Sequence, residues 1–321
     1  MYDCIIVDLL NLYHRNYNTH SEFLHTIGGR TLKTGGIYGS LISIQKIERE
    51  LLNPNGIIYF CADNPISKIY ERKGIDPDYK LNRTKQSDEF YKGLNYLSLI
   101  LQNYNNNYFY LCIPKVEADD HVPSIIRMQP KSSKILVYSG DMDWARAIDF
   151  EGYSVDWHNS KEVVSQIDFE KKYGFRPNSQ NIISYKCYRG DDVDNIPIGL
   201  PNIRTDTLLQ LIEYGTIYEV RESLDYIDFL NPEWKRKFLE SFPRLNLNYQ
   251  LLDFLSINEI AMKHYLTKCR FNPGALKIFY RTLGFDIGKV DPRLYNYFVD
   301  REAEKAGFID DFFQMPKIPR I

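Results

Sequence analysis

Val116-Glu117-Ala118-Asp119-Asp120-His121 packs three carboxylates into four positions. It follows the apolar run Tyr108-Phe109-Tyr110-Leu111-Cys112-Ile113. Pro123 comes next, and proline is accepted in a helix only in the first turn. The stretch reads as a strand, a short loop and a helix starting near Asp119. Glu117 and Asp120 stand at i, i+3 and share a face if the turn is wound. Acids at a helix start also have an ordinary explanation, since they cap free N–H groups and meet the positive end of the dipole. For this stretch alone the ordinary explanation is the better one. The positions of the other acids change the balance.

Upstream, Cys4-Ile5-Ile6-Val7 is too apolar to alternate, which fits a strand buried on both faces of a parallel sheet. It ends in Asp8, with Asn11, Tyr13, His14 and Arg15 beyond. A helix pattern runs from Ile37 to Leu52, then a strand from Gly56 to Cys61 that ends in Asp63. Asp88 to Asn103 reads as a long amphipathic helix. Downstream, Lys134 to Tyr138 is a strand followed by Asp141 and Asp143, and Tyr153 to Trp157 is a shorter β run. Alternating strands and helices imply right-handed βαβ units, whose strand C-terminal ends share one ligand-binding edge. Four apolar strands each deliver acid to that edge: Asp8; Asp63; Glu117, Asp119 and Asp120; Asp141 and Asp143. Converging carboxylates repel and raise one another's pKa, and a bound cation relieves this. Oxygen-only ligands point to Mg²⁺ or Mn²⁺.

After Ile167 the strand signals fade. Helices are expected at Asn178–Arg189, Thr205–Tyr214, Trp234–Phe242, Ile257–Cys269, Gly274–Leu283 and Arg293–Lys305. Asp191, Asp192 and Asp194 cluster at a helix C-terminal end, where the dipole disfavours acids, so a function is indicated. The tail Phe308–Phe313 is apolar and acidic and is expected to dock on the chain's own surface.

The chain has 321 residues, 44% hydrophobic and 26% charged, with a formal net charge of −2. This is an ordinary globular composition, sufficient for one large domain or two closely packed ones. Any basic surface must be local. Cys4, Cys61, Cys112, Cys187 and Cys269 are scattered without a C-x-x-C pair. That argues against zinc ribbons and a disulfide framework, and for a reducing, cytoplasmic setting. The apolar start is broken by Asp8 and lacks a basic flank, so no signal peptide is expected, and no membrane partner.

Two divalent ions about 4 Å apart can clamp a phosphodiester for in-line attack. Asp8, Asp63, Glu117 and Asp119 are expected to hold one. Asp141, Asp143, Asp191 and Asp194 would hold the other, with Asp120 or Asp192 in support. Lys80 and Arg83 are candidates to grip the scissile phosphate. The run with Lys68, Arg72, Lys73, Lys80, Arg83 and Lys85, interleaved with Tyr70 and Tyr79, is as compatible with a solvated loop on charge alone. The tyrosines tilt it towards nucleic acid.

These pieces resemble the 5′-nuclease (flap endonuclease) superfamily, most closely the phage ribonuclease-H-type 5′→3′ exonucleases. The matching motifs are Ile6-Val7-Asp8 with Asn11, Asp63-Asn64, Asp78-Tyr79-Lys80 with Asn82-Arg83, Glu117-Ala118-Asp119-Asp120, Ser139-Gly140-Asp141-Met142-Asp143 and Gly190-Asp191-Asp192-Val193-Asp194-Asn195-Ile196-Pro197. They stand in the family's order between residues 4 and 215. The resemblance implies an α/β fold: a PIN-like parallel-sheet nuclease core over 1–175 and a helical C-terminal region over 176–321. An arch or clamp is implied near 64–105, and a helix–three-turn–helix near 186–215. It further implies two Mg²⁺ ions, with Mn²⁺ as a substitute. The implied activity is 5′→3′ exonuclease and flap-endonuclease cleavage of DNA or RNA–DNA hybrids, used in primer removal beside a single-strand binding protein or clamp. Tyr79 or Tyr13 would stack on an unpaired base, and Arg15, Arg72, Lys73 and Lys85 would contact nucleic acid.

One segment departs. Where the family reads G-x-P-G-I-G-x-K-T-A and holds duplex through amides and K⁺, this chain reads Gly199-Leu200-Pro201-Asn202-Ile203-Arg204-Thr205-Asp206-Thr207-Leu208. Loss of the K⁺ site is expected, with Arg204 the remaining phosphate contact. Other readings stay open: a PIN-type ribonuclease acting on RNA, and a non-catalytic nucleic-acid-binding relative. A haloacid-dehalogenase-like phosphatase is disfavoured because Leu10 stands where its second Asp is needed.

Overall fold

The apolar runs become the middle of one sheet. The computed structural model describes residues 1–27, 30–63 and 71–304. Asn64, Lys68, Tyr70 and the tail Phe308–Phe313 lie outside the described residues.

The elements in order are β1 (Tyr2–Asp8), α1 (Leu9–Thr19), β2 (Leu24–Ile27), β3 (Arg30–Lys33), α2 (Gly35–Leu51), β4 (Leu52–Cys61), α3 (Asp88–Gln102), β5 (Tyr108–Leu111), α4 (His121–Arg127), β6 (Lys134–Tyr138), β7 (Ser154–His158) and β8 (Val163–Val164). Then follow α5 (Gln166–Tyr173), α6 (Ser179–Arg189), α7 (Thr205–Tyr214), α8 (Ile217–Glu222), α9 (Pro232–Leu252), α10 (Glu259–Tyr265), β9 (Leu266–Lys268), α11 (Pro273–Thr282), α12 (Ile287–Val290) and α13 (Pro292–Glu304). Among the described residues the main sheet has the order β8-β7-β6-β1-β4-β5-β9. β7, β6, β1, β4 and β5 run parallel, and the edge strands β8 and β9 run antiparallel. The fold is thus α/β with a mostly parallel sheet, as expected.

Register positions the site. Asp8 pairs with Cys61, Cys61 with Leu111, and Val7 with Tyr138. The four central strands therefore finish nearly level, and the residues after each emerge side by side. Alternation along β1 feeds two layers. Cys4 and Ile6 join Val122, Ile182, Leu208, Phe238 and Leu245 on one face. Ile5 and Val7 join Leu12, Ile44, Leu97 and Leu276 on the other. The helical half shares these layers across residue 175 instead of standing apart. Among the described residues no helix is long and apolar enough to cross a membrane.

Several elements differ from expectation. The stretch expected as a helix to Cys269 stops at Tyr265, and Leu266–Lys268 adds to the sheet beside β5. An open strand edge leaves unpaired N–H and C=O groups, and β9 satisfies them. Helix α9 continues past Pro243 to Leu252 because Phe238, Phe242, Leu245 and Leu252 keep one buried face across the break. The Asp88–Gln102 half of the expected arch is not a free clamp: Phe90, Leu94, Leu97, Ile100 and Leu101 bury it in the core as α3. Helix α1 was not anticipated, because its Asn- and Tyr-rich sequence is a weak helix former. Asp8 starts it by accepting from the Asn11 amide at 2.9 Å.

Tyr13 is a packing residue of this layer. It is 0% exposed and meets Phe90 edge-on at 4.9 Å. It cannot stack on a base without unpacking α1 from α3, which corrects that expectation. A Cβ on Gly93 would come within 2.0 Å of the Tyr13 hydroxyl. Gly93→Ala should therefore destabilise by about 1–3 kcal/mol in chemical denaturation, although alanine is the better helix former by about 1 kcal/mol. Combining it with Tyr13→Phe should recover part of the loss. A stabilised Gly93→Ala protein would show that the two helices separate freely.

Candidate active site

Each acid is held by local backbone chemistry. Asp8 ends β1, and its second oxygen accepts from Ser139 Oγ at 2.7 Å. Asp63 accepts from the Ala118 amide at 2.9 Å, fastening the end of β4 to the acidic loop. The Asp141 amide donates to Ser139 Oγ at 3.1 Å, and the Asp141 carboxylate accepts from the Asp143 amide at 3.0 Å. The Gly190–Pro197 turn is closed by a bridge between Asp191 and Ile196. Gly190 has φ +75°, and a Cβ there would lie 2.7 Å from Ile196 O, so only glycine fits.

The turn and the strand ends make two acid groups. In Glu117, Asp119 and Asp120, and in Asp143, Asp191 and Asp194, ligand oxygens lie within 4.8 Å of one another. Asp8 feels the charge of Asp63 and Asp141, Asp63 that of Glu117 and Asp119, and Asp141 that of Asp143 and Asp194. The acids proposed from sequence are thus brought to one place. Asp192 is exposed, and its carbonyl accepts from Asn82 Nδ2 at 2.6 Å.

Buried cations are threaded between the acids. Arg72 donates to both oxygens of Asp120 at 2.8 Å, to Glu117 at 2.7 Å and to the Asp253 carbonyl at 2.7 Å. It is 1% exposed. The expectation that Arg72 contacts nucleic acid is therefore corrected: it is sealed inside as a carboxylate clamp. Asp120, held by Arg72 and by the Leu255 amide at 2.8 Å, stands behind Glu117 with its oxygens already occupied. Tyr79 is also corrected. It is 3% exposed and donates to Glu117 at 2.9 Å or Asp194 at 3.2 Å, so no base can stack on it.

Lys80 bridges the groups, bonding Glu117 and standing 3.5 Å from Asp194, while Arg83 pairs with Asp194. The Lys80 amide donates to Asp194 O at 2.9 Å, and Asn195 Nδ2 donates to Asp78 O at 2.8 Å. The Asp78–Arg83 loop is therefore docked on the acidic turn. Lys85 is exposed and Lys73 half-buried. Arg15 is half-buried, donating to the Tyr138 hydroxyl at 3.2 Å. Sequence reasoning missed Lys186, which contacts Asp143 at 2.5 Å and Asp191 at 2.7 Å. Its only signal was a lysine one turn before Gly190 on the same helix.

Burial, reinforced by Asp63, pushes Asp8 up to about 7. Burial and Glu117 push Asp63 up to about 6, and burial and Asp143 push Asp141 up to about 6. Burial and Asp119 push Asp120 up to about 7. Asp143 goes the other way: burial opposes its charge, but Lys186 and then Arg146 hold it below the usual carboxylate value. Grouped carboxylates whose charge is disfavoured without a cation, and which offer only oxygen, fit a hard divalent metal.

The model of the 5′-3′ exonuclease N-terminal resolvase-like domain matches residues 3–174. That is more than half of the chain, and the chain belongs to this family. A 5′-3′ exonuclease of Mycoplasmopsis pulmonis is 25% identical over 234 residues, covering 73% of this chain and 74% of that protein. DNA polymerase I of Pseudomonas aeruginosa is 24% identical over 331 residues; the alignment covers 94% of this chain but only 32% of the polymerase. In three dimensions the chain is similar to the bacteriophage T5 D15 flap endonuclease, solved as a pseudo-enzyme–product complex with DNA and metal ions. The TM-score is 0.59 at 18% identity, covering 94% of this chain and 98% of that one. The likeness shows a shared fold.

The raised acids set a pH dependence. Asp8, Asp63 and Asp141 ordinarily titrate at 3.8, so between that value and about 7 the folded state binds more protons than the unfolded one. Their contribution is fully present below 3.8 and is lost as pH rises through 6–7. In EDTA the melting temperature should fall from about pH 5 to about pH 7.5. Millimolar Mg²⁺ should raise it more at the higher pH, where the acids are ionised. An equal Mg²⁺ effect at both pH values would contradict this.

Proposed function

We propose that this 5′-3′ exonuclease-family chain hydrolyses phosphodiesters at 5′ ends and 5′ flaps of DNA, and in RNA–DNA hybrids, with two Mg²⁺ ions for which Mn²⁺ can substitute. The observation that carries the reading is the convergence of acids from four adjacent strand ends and the turn after α6, with cations buried among them. Asp8, Asp63, Glu117 and Asp119 would hold one ion. Asp141, Asp143, Asp191 and Asp194 would hold the other. Bound there, divalent metal supplies a nucleophilic water at neutral pH and charge stabilisation for the attacking and leaving oxygens.

The chain's own residues do the rest. Arg72 and Tyr79 orient Glu117, and Ser139 orients Asp8. Lys80 and Arg83, which pair with Glu117 and Asp194, would meet a phosphate entering between the acid groups and would suit charge that builds in the transition state. Lys73, Lys85 and Arg15 would follow the strand backbone electrostatically. A role in RNA primer removal, in the cytoplasm and beside a single-strand binding protein or clamp, suits such an activity. The presence of every proposed acid argues against a non-catalytic relative.

Matched 5′-flap DNA, nicked duplex, RNA–DNA hybrid and single-stranded RNA, each with Mg²⁺ and with EDTA, test the reading. Cleavage of the flap and hybrid in Mg²⁺ alone is expected. Cleavage confined to single-stranded RNA would instead support a PIN-type ribonuclease. Asp8→Asn and Asp143→Asn should each lower the single-turnover rate by about 10³-fold or more, with substrate binding retained. Near-normal rates would remove that residue from the centre.

The altered hairpin contains one left-handed residue. Asn202 adopts φ +61°, the left-handed conformation glycine otherwise supplies. Arg204 is exposed and paired with exposed Asp206 at 2.7 Å, a link weak enough for phosphate to replace. Arg204→Ala should weaken duplex-containing substrates more than single strands and make the log–log salt slope shallower by about 1. Exchanging K⁺ for Na⁺ at fixed ionic strength should change nothing. A K⁺ requirement would show that the turn still holds an ion.

A further inference from the structure

We infer that Lys186 is a built-in counter-ion of the Asp143–Asp191–Asp194 group, which the second divalent ion must displace, so that this lysine sets how weakly that ion binds. The inference rests on the two-ion reading above and goes beyond it.

Lys186 projects from the last turn of α6 and is only 7% exposed. Its ammonium lies 2.5 Å from Asp143 Oδ1 and 2.7 Å from Asp191 Oδ2. Those residues, with Asp194, form an acid group compact enough for one cation. The ammonium therefore holds two of the carboxylates an ion would need. It also lowers the energy of the metal-free state, because buried carboxylates without a partner repel.

The contrast with Arg72 shows why this cation can move. Arg72 also touches ligand acids, but a planar guanidinium is fixed there by a backbone carbonyl and both oxygens of Asp120. Asp120 is further anchored to the Leu255 amide. Arg72 is a static clamp. Lys186 has a flexible stem and donates to two carboxylates; Asp191 stays in place without it, because its other oxygen accepts from the Val193 amide at 3.0 Å. When an ion takes those oxygens, the ammonium loses both partners and faces a like charge, so it must rotate away. The second ion is then bound at the cost of that exchange. A substrate phosphate would supply the negative charge that lets ion and ammonium coexist. Occupancy of this position should consequently rise with substrate.

The test counts ions directly. Metal-free full-length wild type, Lys186→Met and Lys186→Arg are titrated with Mn²⁺, with free Mn²⁺ followed by electron paramagnetic resonance. Wild type should bind one ion tightly and a second weakly. Lys186→Met should bind the second at least about tenfold more tightly with the first unchanged, and Lys186→Arg should remain weak. Unchanged or weaker second-ion binding in Lys186→Met overturns the inference while leaving the two-ion reading standing. A single ion in all three proteins overturns the two-ion reading and the inference with it. Melting curves guard against a folding defect. Metal-free Lys186→Met should melt below wild type and gain more from Mn²⁺, and Lys186→Gln repeats the titration should the Met variant not fold. A Lys186→Met protein whose deficit Mn²⁺ does not restore would mark the lysine as structural and overturn the inference.

Discussion

Mutual repulsion of carboxylates at one sheet edge is the constraint that shapes this molecule. Parallel strands that end level must present their following residues together, and here those residues are acids. Buried charge is costly unless paired. The chain meets that cost with Arg72, Lys80 and Lys186, all buried or nearly so, and Arg83 at the rim. Each comes from a segment outside the strands. The loop before α3 brings Arg72, Lys80 and Arg83, and α6 brings Lys186. The site is therefore assembled by tertiary contacts, and removing one cation would leave acids uncompensated.

The same ion pairs tie distant parts of the chain together. Arg72 links the acidic loop to the segment after α9 through the Asp253 carbonyl, and Asp120 receives the Leu255 amide. Arg146, also buried, donates to the Leu252 carbonyl at 2.6 Å and packs over Phe254 at 3.5 Å. The chain leaving α9 is thus strapped beneath the acid groups by two arginines. β9 then adds to the sheet beside β5, one of the strands that carries the acids. This is why the helical half shares a core with the sheet.

Much of this was legible in the sequence because period and order carry it. Unbroken apolar runs such as Cys4–Val7 mark buried parallel strands, and an acid after each run marks the shared edge. Asp191, Asp192 and Asp194 stood out because acids at a helix C-terminus oppose the dipole. What escaped depends on contacts between segments far apart. Nothing local shows that Arg72 is buried while Lys85 in the same run is exposed, since Asp120 and Asp253 decide it. Lys186 looked like any helix-end lysine, where a cation is favourable anyway. Leu266–Lys268 became a strand because an edge was open beside it.

The correction of Arg72, Tyr79 and Tyr13 alters how this chain can grip nucleic acid. Residues expected on the substrate side support the acids or the α1–α3 packing instead. The aromatic stacking expected of Tyr13 and Tyr79 is therefore unavailable. On the proposed function, recognition would fall to groups at the surface of the described residues: Arg83, Lys85 and Arg204, with Lys73 and Arg15 partly accessible. On the proposed function these contacts would be electrostatic, and in a chain of net charge −2 any basic surface is local. Such groups would attract the phosphate backbone without reading bases. Selection of substrate would then depend on which phosphate can reach the acid groups past the docked Asp78–Arg83 loop. On that geometry, the shape of the nucleic-acid end would govern choice, and sequence would contribute little.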